Sequence, residues 1–230
     1  LRAEKTHGEC YPVGCGKYSD LSVFSLHPVK IITSGEGGIL TCNDQDLFEK
    51  LQLLRSHGVS RDEKHFELSN PGPWDYEQVV LGYNYRMTEL QAALGLSQLS
   101  KLKEFIKQRM DLVKHYEIHL KNINQISLPM QPATGQSSNH LFCILLNEKL
   151  IKYKKEIFQQ LTALGIGVNV HYRPVPEQYY YKKTGIHEGS YSNALEYYKQ
   201  ALSLPLHPSM SEQDVEFICE SLKNIISCFD

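Results

Sequence analysis

The densest run of chemically capable residues in the chain is Ser25-Leu26-His27-Pro28-Val29-Lys30-Ile31-Ile32-Thr33-Ser34-Gly35-Glu36-Gly37-Gly38. The apolar stretch before it reads as a short buried strand, so Lys30 falls just past a strand end. The glycines that follow let backbone approach a ligand closely. A lysine held in that setting loses water, and burial lowers the pKa of an ammonium until the neutral amine is available as a nucleophile. The commoner fate of a lysine after a strand is exposure in a polar turn. Spacing alone leaves both readings open.

Other candidate signals are weaker. His115 and His119 stand four apart with Glu117 between them, which is not the H-E-x-x-H order of a zinc site, so solvated helix histidines are expected. No metal site is expected anywhere. Gly165-x-Gly167 precedes a strand pattern, where a dinucleotide fingerprint must follow one, and reads as a helix C-cap. Lys149, Lys152, Lys154 and Lys155 read as a solvated face. Tyr179-Tyr180-Tyr181 form an aromatic cluster suited to packing.

Composition narrows the class of protein that could place these groups. At about 150 residues per domain, a length of 230 gives about one and a half domains. Hydrophobic residues make up 41% and charged residues 22%, which excludes disordered and coiled-coil architectures. Lys plus Arg total 24 against 26 Asp plus Glu, for a net charge of −2, so no global field is available to hold nucleic acid or an anionic membrane. The six cysteines are scattered with no C-x-x-C pair and read as reduced thiols of a cytoplasmic protein. The first residues carry no signal-peptide pattern, and no window approaches the roughly 18 apolar residues of a membrane span.

The elements that must position the candidates follow from periodicity. A buried strand is expected over 18–26, ending at His27-Pro28, and a second over 39–42. Asn43-Asp44 caps a helix near 45–57, with Leu47, Phe48, Leu51 and Leu54 at helical spacing. Residues 58–83, with Pro71-Gly72-Pro73 and Trp74, read as a long polar loop. Thr88-Glu89-Leu90-Gln91 is a capping-box pattern that starts a helix, which continues to about 121 with a break near 98–101. A turn-rich stretch (129–138), a strand over 140–146, a helix over 153–164 ending at Gly165 and a strand over 166–172 follow. Helices near 190–202 and 211–227 close the chain, the last capped by Ser211 with Asp214 in its first turn. From about residue 125 the pattern is small α+β.

Read against known families, the run from Ser25 to Gly38 resembles the cofactor-lysine segment S-F-H-x-x-K-x-x-T-x-G-E-G-G of the DegT/DnrJ/StrS-type sugar aminotransferases. Ser25, His27, Lys30, Thr33, Gly35, Glu36, Gly37 and Gly38 match, with Leu26 in place of the aromatic. Further segments match in the family's order: Arg55-Ser56-His57-Gly58, then Gly82-Tyr83-Asn84-Tyr85-Arg86-Met87 with Gln91-Ala92-Ala93, then Asn169-Val170-His171-Tyr172 with Pro174, then the stretch Leu202 to Pro208 with its Leu204-Pro205-Leu206-His207-Pro208. His27-Pro28-Val29-Lys30 and Gly72-Pro73-Trp74-x-Tyr76 are most similar to the branch that acts in pseudaminic acid biosynthesis.

The resemblance implies an α/β protein of the type I pyridoxal-phosphate-dependent transferase fold. Residues 1–121 would be the C-terminal part of the large cofactor domain with connecting helices, and 122–230 a small α+β domain. It implies pyridoxal 5'-phosphate as cofactor and transfer of an amino group from glutamate to the 4-keto position of a UDP-linked 4-keto-6-deoxy-N-acetylhexosamine. Lys30 would hold the cofactor covalently and act as the proton-moving base. Ser25 would bind the cofactor phosphate. Asn84 would reach cofactor and substrate in the neighbouring subunit of a homodimer. Asn169, Val170, His171 and Tyr172 would line the nucleotide-sugar pocket, and Tyr179-Tyr180-Tyr181 resembles the family's Q-P-Y-Y stretch. Without the motif around them, Asn84 reads as a loop residue before a helix and His171 as a structural histidine.

Family members are considerably longer, and the resemblance implies that much of the cofactor domain is absent. It would place the aspartate that keeps the pyridine ring protonated in Leu1-Arg2-Ala3-Glu4-Lys5-Thr6-His7-Gly8, which contains none. An alternative expectation is therefore a non-catalytic remnant, acting as an interaction module or needing a partner chain to cover the unpaired edges of a parallel sheet. Family members that dehydrate their substrate carry histidine at the cofactor position, so Lys30 argues against that chemistry.

Overall fold

The structure, a computed structural model, describes residues 2–6, 9–67, 72–130, 135–185 and 191–229. Leu1, His7 and Gly8 of the opening segment, residues 68–71 of the expected loop, residues 131–134 of the turn-rich stretch and residue 190 at an expected helix start lie outside the described residues. Two compact units divide the chain, residues 1–102 with 134–136 and residues 103–133 with 137–230.

In the first unit, β1 (Arg2–Thr6) pairs antiparallel with β2 (Glu9–Pro12). Strand β3 (Ser22–Ser25) pairs antiparallel with β4 (Gly38–Thr41), placing Ser25 opposite Gly38. The expected strand over 18–26 is thus shorter, and it is not buried throughout: Val23 is 74% exposed while Leu26, just past the strand, is buried. Helix α1 (Gln45–Arg55) starts where the Asp44 carboxylate accepts the Leu47 N–H at 2.8 Å. The described parts of the expected loop, 58–67 and 72–83, are more structured than a polar loop. They hold β5 (Val59–Ser60), one 3-10 turn (Glu63–His65) and β6 (Glu77–Gln78), with β5 and β6 antiparallel.

Thr88 caps α2 (Glu89–Leu99) with a full capping box to Gln91, and the break expected near 98–101 separates it from α3 (Leu102–Leu120). Although α3 precedes residue 121, its buried residues Leu112, Val113, Tyr116 and Leu120 join the core of the second unit. There β7 (Ile126–Ser127), β8 (Phe142–Leu146) and β9 (Ala201–Leu204) form an antiparallel sheet in the order β7-β8-β9. Tyr116 stacks on Phe142 with ring centroids 4.5 Å apart. Fully burying each leucine or isoleucine of such a core stabilises by about 1.5–3 kcal/mol.

The one-turn helix α4 (Glu148–Ile151) leads into α5 (Lys154–Ala163). Gly165, at φ 79°, closes α5: its N–H reaches Thr162 O at 2.9 Å and the Ile166 N–H reaches Leu161 O at 3.0 Å. This is a Schellman cap, as expected for Gly165-x-Gly167. Then come the one-turn α6 (Tyr179–Lys182), α7 (Ser192–Gln200) and α8 (Glu212–Ser227), the last opened by a capping box between Ser211 and Asp214.

Three expectations fail. The strand expected over 166–172 is absent apart from a single bridge between Asn169 and Ser203. The Asn169 side chain takes the Val170 N–H at 2.7 Å, a local bond that competes with a ladder. The helix expected over 190–202 stops at Gln200, because Ala201 turns extended and starts β9, a strand with no sequence pattern of its own. The parallel sheet is not found among the described residues, where every ladder is antiparallel. The chain between β3 and β4 spans only residues 26–37 and contains no crossover helix, so it returns the chain antiparallel.

Candidate active site

The lysine run forms a compact loop that closes the β3–β4 hairpin, joining Ser25 to Gly38. Leu26 anchors it: its N–H donates to Gly37 O at 2.9 Å, and its carbonyl accepts from Ser34 N at 3.0 Å and Thr33 Oγ1 at 2.9 Å. Ser34 is buried, and its hydroxyl donates to Glu36 O at 2.8 Å. Glycine is required at 37, where an added Cβ would sit 2.4 Å from Ser34 Oγ and 3.0 Å from Met87 Cε. The loop thereby touches the segment that carries Asn84.

Lys30 closes a turn by donating its N–H to His27 O at 2.9 Å, and it is half-buried. Ser25 is exposed at the end of β3, and its hydroxyl accepts the His27 N–H at 3.4 Å. Lys30 and Ser25 are therefore the two ends of one turn, residues 25–30. His27 Nδ1 accepts the Val29 N–H at 3.3 Å, and its Nε2 lies 3.6 Å from Glu36 Oε1.

Asn84 is held by backbone. Its N–H donates to Ser56 O at 2.8 Å, and Val79 N–H donates to Gly58 O at 2.9 Å, so the Arg55–Gly58 and Gly82–Asn84 motif segments lie side by side. Their approach is close enough that a Cβ on Gly82 would meet Ser56 O at 2.4 Å and Gly58 N at 2.5 Å. Asn84 itself adopts φ 57°, a left-handed conformation that asparagine tolerates better than most residues. A hollow of about 260 Å³ in this unit is lined by Leu26, Ile32, Met87, Gly95, Leu96 and Leu99, and none of the polar candidates lines it.

In the second unit, Asn169, Val170, His171 and Tyr172 run along the edge strand β9. Asn169 N–H donates to Ser203 O at 3.1 Å, and Ser203 N–H donates back to Asn169 O at 2.7 Å. His171 Nδ1 lies 2.7 Å from the Ser203 hydroxyl, and the ring stands edge-on to Tyr172 at 4.5 Å. Asn169 and Tyr172 are exposed, Val170 and His171 half-buried. Ser203 was not singled out by the sequence. Its only signal is one hydroxyl in an apolar run, Ala201-Leu202-Ser203-Leu204.

The weaker candidates resolve simply. His115 pairs with Glu212 at 3.0 Å, and no group of three metal-ligating side chains occurs among the described residues. Lys149, Lys152 and Lys155 are solvated, but Lys154 is half-buried and donates to the Tyr198 carbonyl. Burial pushes the Lys154 ammonium pKa down. Tyr179, Tyr180 and Tyr181 are exposed. Among the described residues no helix is long and apolar enough to cross a membrane.

Comparison with known proteins supplies a context for these segments. The family model described as the DegT/DnrJ/EryC1/StrS aminotransferase family matches residues 6–223. A UDP-4-amino-4,6-dideoxy-N-acetyl-beta-L-altrosamine transaminase of Campylobacter jejuni is 38% identical over 211 residues, 92% of this chain and 54% of that protein. Among solved structures, Helicobacter pylori PseC, an aminotransferase involved in the biosynthesis of pseudoaminic acid, superposes with a TM-score of 0.85 at 31% identity, covering 98% of this chain and 57% of that one. The PLP-form of Spr1654 from Streptococcus pneumoniae gives a TM-score of 0.83 at 29% identity, over 94% and 54%. The chain thus spans about half the length of the curated relatives it matches, and its fold is that of the type I pyridoxal-phosphate-dependent transferases. With the family model matching almost from end to end, the chain belongs to the DegT/DnrJ/EryC1/StrS aminotransferase family.

Proposed function

We propose that the protein acts as a pyridoxal-phosphate-dependent aminotransferase of nucleotide-sugar biosynthesis. The amino group would come from glutamate and go to the 4-keto carbon of a UDP-linked 4-keto-6-deoxy-N-acetylhexosamine. The observation that carries the reading is the turn 25–30, with an amine at one end and a hydroxyl at the other, in a chain 38% identical to a transaminase of that sugar class.

Two residues of the turn have the chemistry the cofactor needs. An aldehyde needs an amine, which Lys30 would supply, and a phosphate needs hydroxyl donors, of which Ser25 would supply one. Gly35, at φ 83°, has open space where a Cβ would stand, with no atom within 4 Å. When bound, the cofactor would supply the electron sink that makes a carbon–hydrogen bond acidic. Lys30 Nζ would hold it and, once freed by the incoming amine, take up and return the proton at the substrate carbon. Asn84 would complete cofactor and substrate binding in the neighbouring subunit of a homodimer, and Asn169, Val170, His171 and Tyr172 would bind the nucleotide sugar. The compartment proposed is the cytoplasm, and the domain division proposed is 1–121 and 122–230.

A second reading, a non-catalytic interaction module, draws on the apolar surface of the first unit, where Val23, Leu40, Leu90 and Leu96 are 74%, 51%, 85% and 69% exposed. Titrating the purified protein with pyridoxal phosphate separates the two. The enzyme reading expects a visible absorption band that Lys30→Ala abolishes and glutamate shifts. A band that survives Lys30→Ala overturns the assignment of Lys30, and no binding at all favours the module.

A further inference from the structure

Cys143 and Ser203 are cross-strand partners on β8 and β9, so their side chains share one face of the sheet. Their neighbours Phe142, Ile144, Leu202 and Leu204 fill the core on the opposite face. Ser203 is only 3% exposed, and both its backbone N–H and its carbonyl are bonded to Asn169, which fixes the origin of its side chain. From there its Oγ lies 3.0 Å from Cys143 Sγ and 2.7 Å from His171 Nδ1. Cys143, Ser203 and His171 thus form one polar line, of which the sequence singled out only the histidine.

A hydroxyl has one proton and two lone pairs, so it can serve a ring nitrogen either way. Toward a neutral imidazole, Ser203 donates its proton into the Nδ1 lone pair, the stronger acceptor of its two neighbours. The Cys143 S–H then turns toward Ser203 Oγ. This arrangement leaves the ring proton on Nε2. Toward an imidazolium, Nδ1–H donates to Ser203 Oγ, whose own proton rotates onto Cys143 Sγ.

We propose that Ser203 is the positioning residue of His171: its buried hydroxyl is the Nδ1 partner in both protonation states and makes the neutral ring the Nε2–H tautomer. The consequence for catalysis rests on the reading of His171 as a nucleotide-sugar ligand, whereas the ring's own tautomer does not.

The test uses protein carrying ring-labelled [15N]histidine, with His171→Gln to assign the signal, and compares Ser203→Ala with Ser203→Thr. Above the titration of the ring, wild type and Ser203→Thr are expected to show Nε2 protonated and Nδ1 bare. Ser203→Ala is expected to shift both nitrogens from their wild-type values and to raise KM for the nucleotide sugar several-fold with little change in kcat. A neutral wild-type ring protonated on Nδ1 overturns the proposal, and that measurement needs no variant to fold. Unchanged ring shifts in Ser203→Ala overturn it as well. Shifted nitrogens with an unchanged KM support the Ser203 assignment and instead overturn the placing of His171 in the sugar site.

Discussion

The guanidinium of Arg109 on α3 and the carbonyl of Leu206, 97 positions later, are joined by a 2.8 Å hydrogen bond. The same nitrogen reaches Asn139 O at 3.3 Å and His140 O at 3.1 Å, and the side chain is 4% exposed. One turn pair further along α3, the Tyr116 hydroxyl donates to Pro205 O at 2.7 Å. A single helix thus holds the Leu204–Pro208 motif in place by its carbonyls, at the end of the strand that carries Ser203.

Arg109→Met should therefore cost more than its lost packing. Three carbonyls inside the second unit lose their donor, and leaving buried polar groups unmatched is the expensive side of hydrogen bonding. The expected loss is about 2–4 kcal/mol, read as a lowered urea midpoint with an unchanged slope. Arg109→Lys should recover only part of it, since an ammonium does not reproduce the planar fork.

The close approach of Gly58 and Gly82 makes a sharper steric prediction. A Cβ on Gly58 would stand 1.8 Å from Val80 O, at φ 72°, and one on Gly82 would meet three backbone atoms within 2.7 Å. Backbone cannot yield as a flexible side chain can, so Gly58→Ala and Gly82→Ala should each destabilise by at least about 1–3 kcal/mol. Gly167→Ala, where a Cβ meets nothing within 4 Å, should stay within about 0.5 kcal/mol of wild type. Equal midpoints for all three in urea denaturation would contradict the packing of the two motif segments.

Cys219 carries a pH prediction. It is fully buried, and burial pushes its thiol up to about 12, above the ordinary value near 8.5 that holds when unfolded. A pKa raised on folding means the unfolded chain releases this proton first. The contribution is whole below about pH 8.5 and is lost as pH rises toward about 12. Burial moves Tyr116 in the same direction and adds to the alkaline slope. Stability measured from pH 8 to about 11 should fall less steeply in Cys219→Ala. At pH 8 iodoacetamide should modify the exposed Cys228 at least about tenfold faster than Cys219, as followed by peptide mass spectrometry.

What the sequence made legible is what local chemistry determines. Thr88, Ser211 and Gly165 announce helix ends because each satisfies orphan backbone groups with its own side chain or its own φ, and all three hold in the structure. The lysine loop was legible through its glycines for the same reason. Strand β9 was not, because four residues have no period of their own and the partner that makes Ala201–Leu204 a strand is β8, about sixty residues earlier. Ser203 was hidden by the same fact: its function as a partner of His171 and Cys143 exists only once the two strands pair.

Asn84 allows its two roles to be separated. Its backbone sits at φ 57° and its N–H is spent on Ser56, while its side chain is exposed. A structural residue needs only the conformation, and a ligand residue needs the amide. Asn84→Gly keeps the conformation and removes the amide, whereas Asn84→Ala removes the amide and adds about 1 kcal/mol of left-handed strain. If the side chain reaches cofactor or substrate in a neighbouring subunit, Asn84→Gly folds as well as wild type yet loses at least about tenfold in activity, the cost of one charge-assisted hydrogen bond. If the residue serves the turn alone, Asn84→Gly is fully active and Asn84→Ala is merely less stable. Denaturation midpoints and turnover measured on the same two variants decide between them, because the two roles move the two readouts in opposite order.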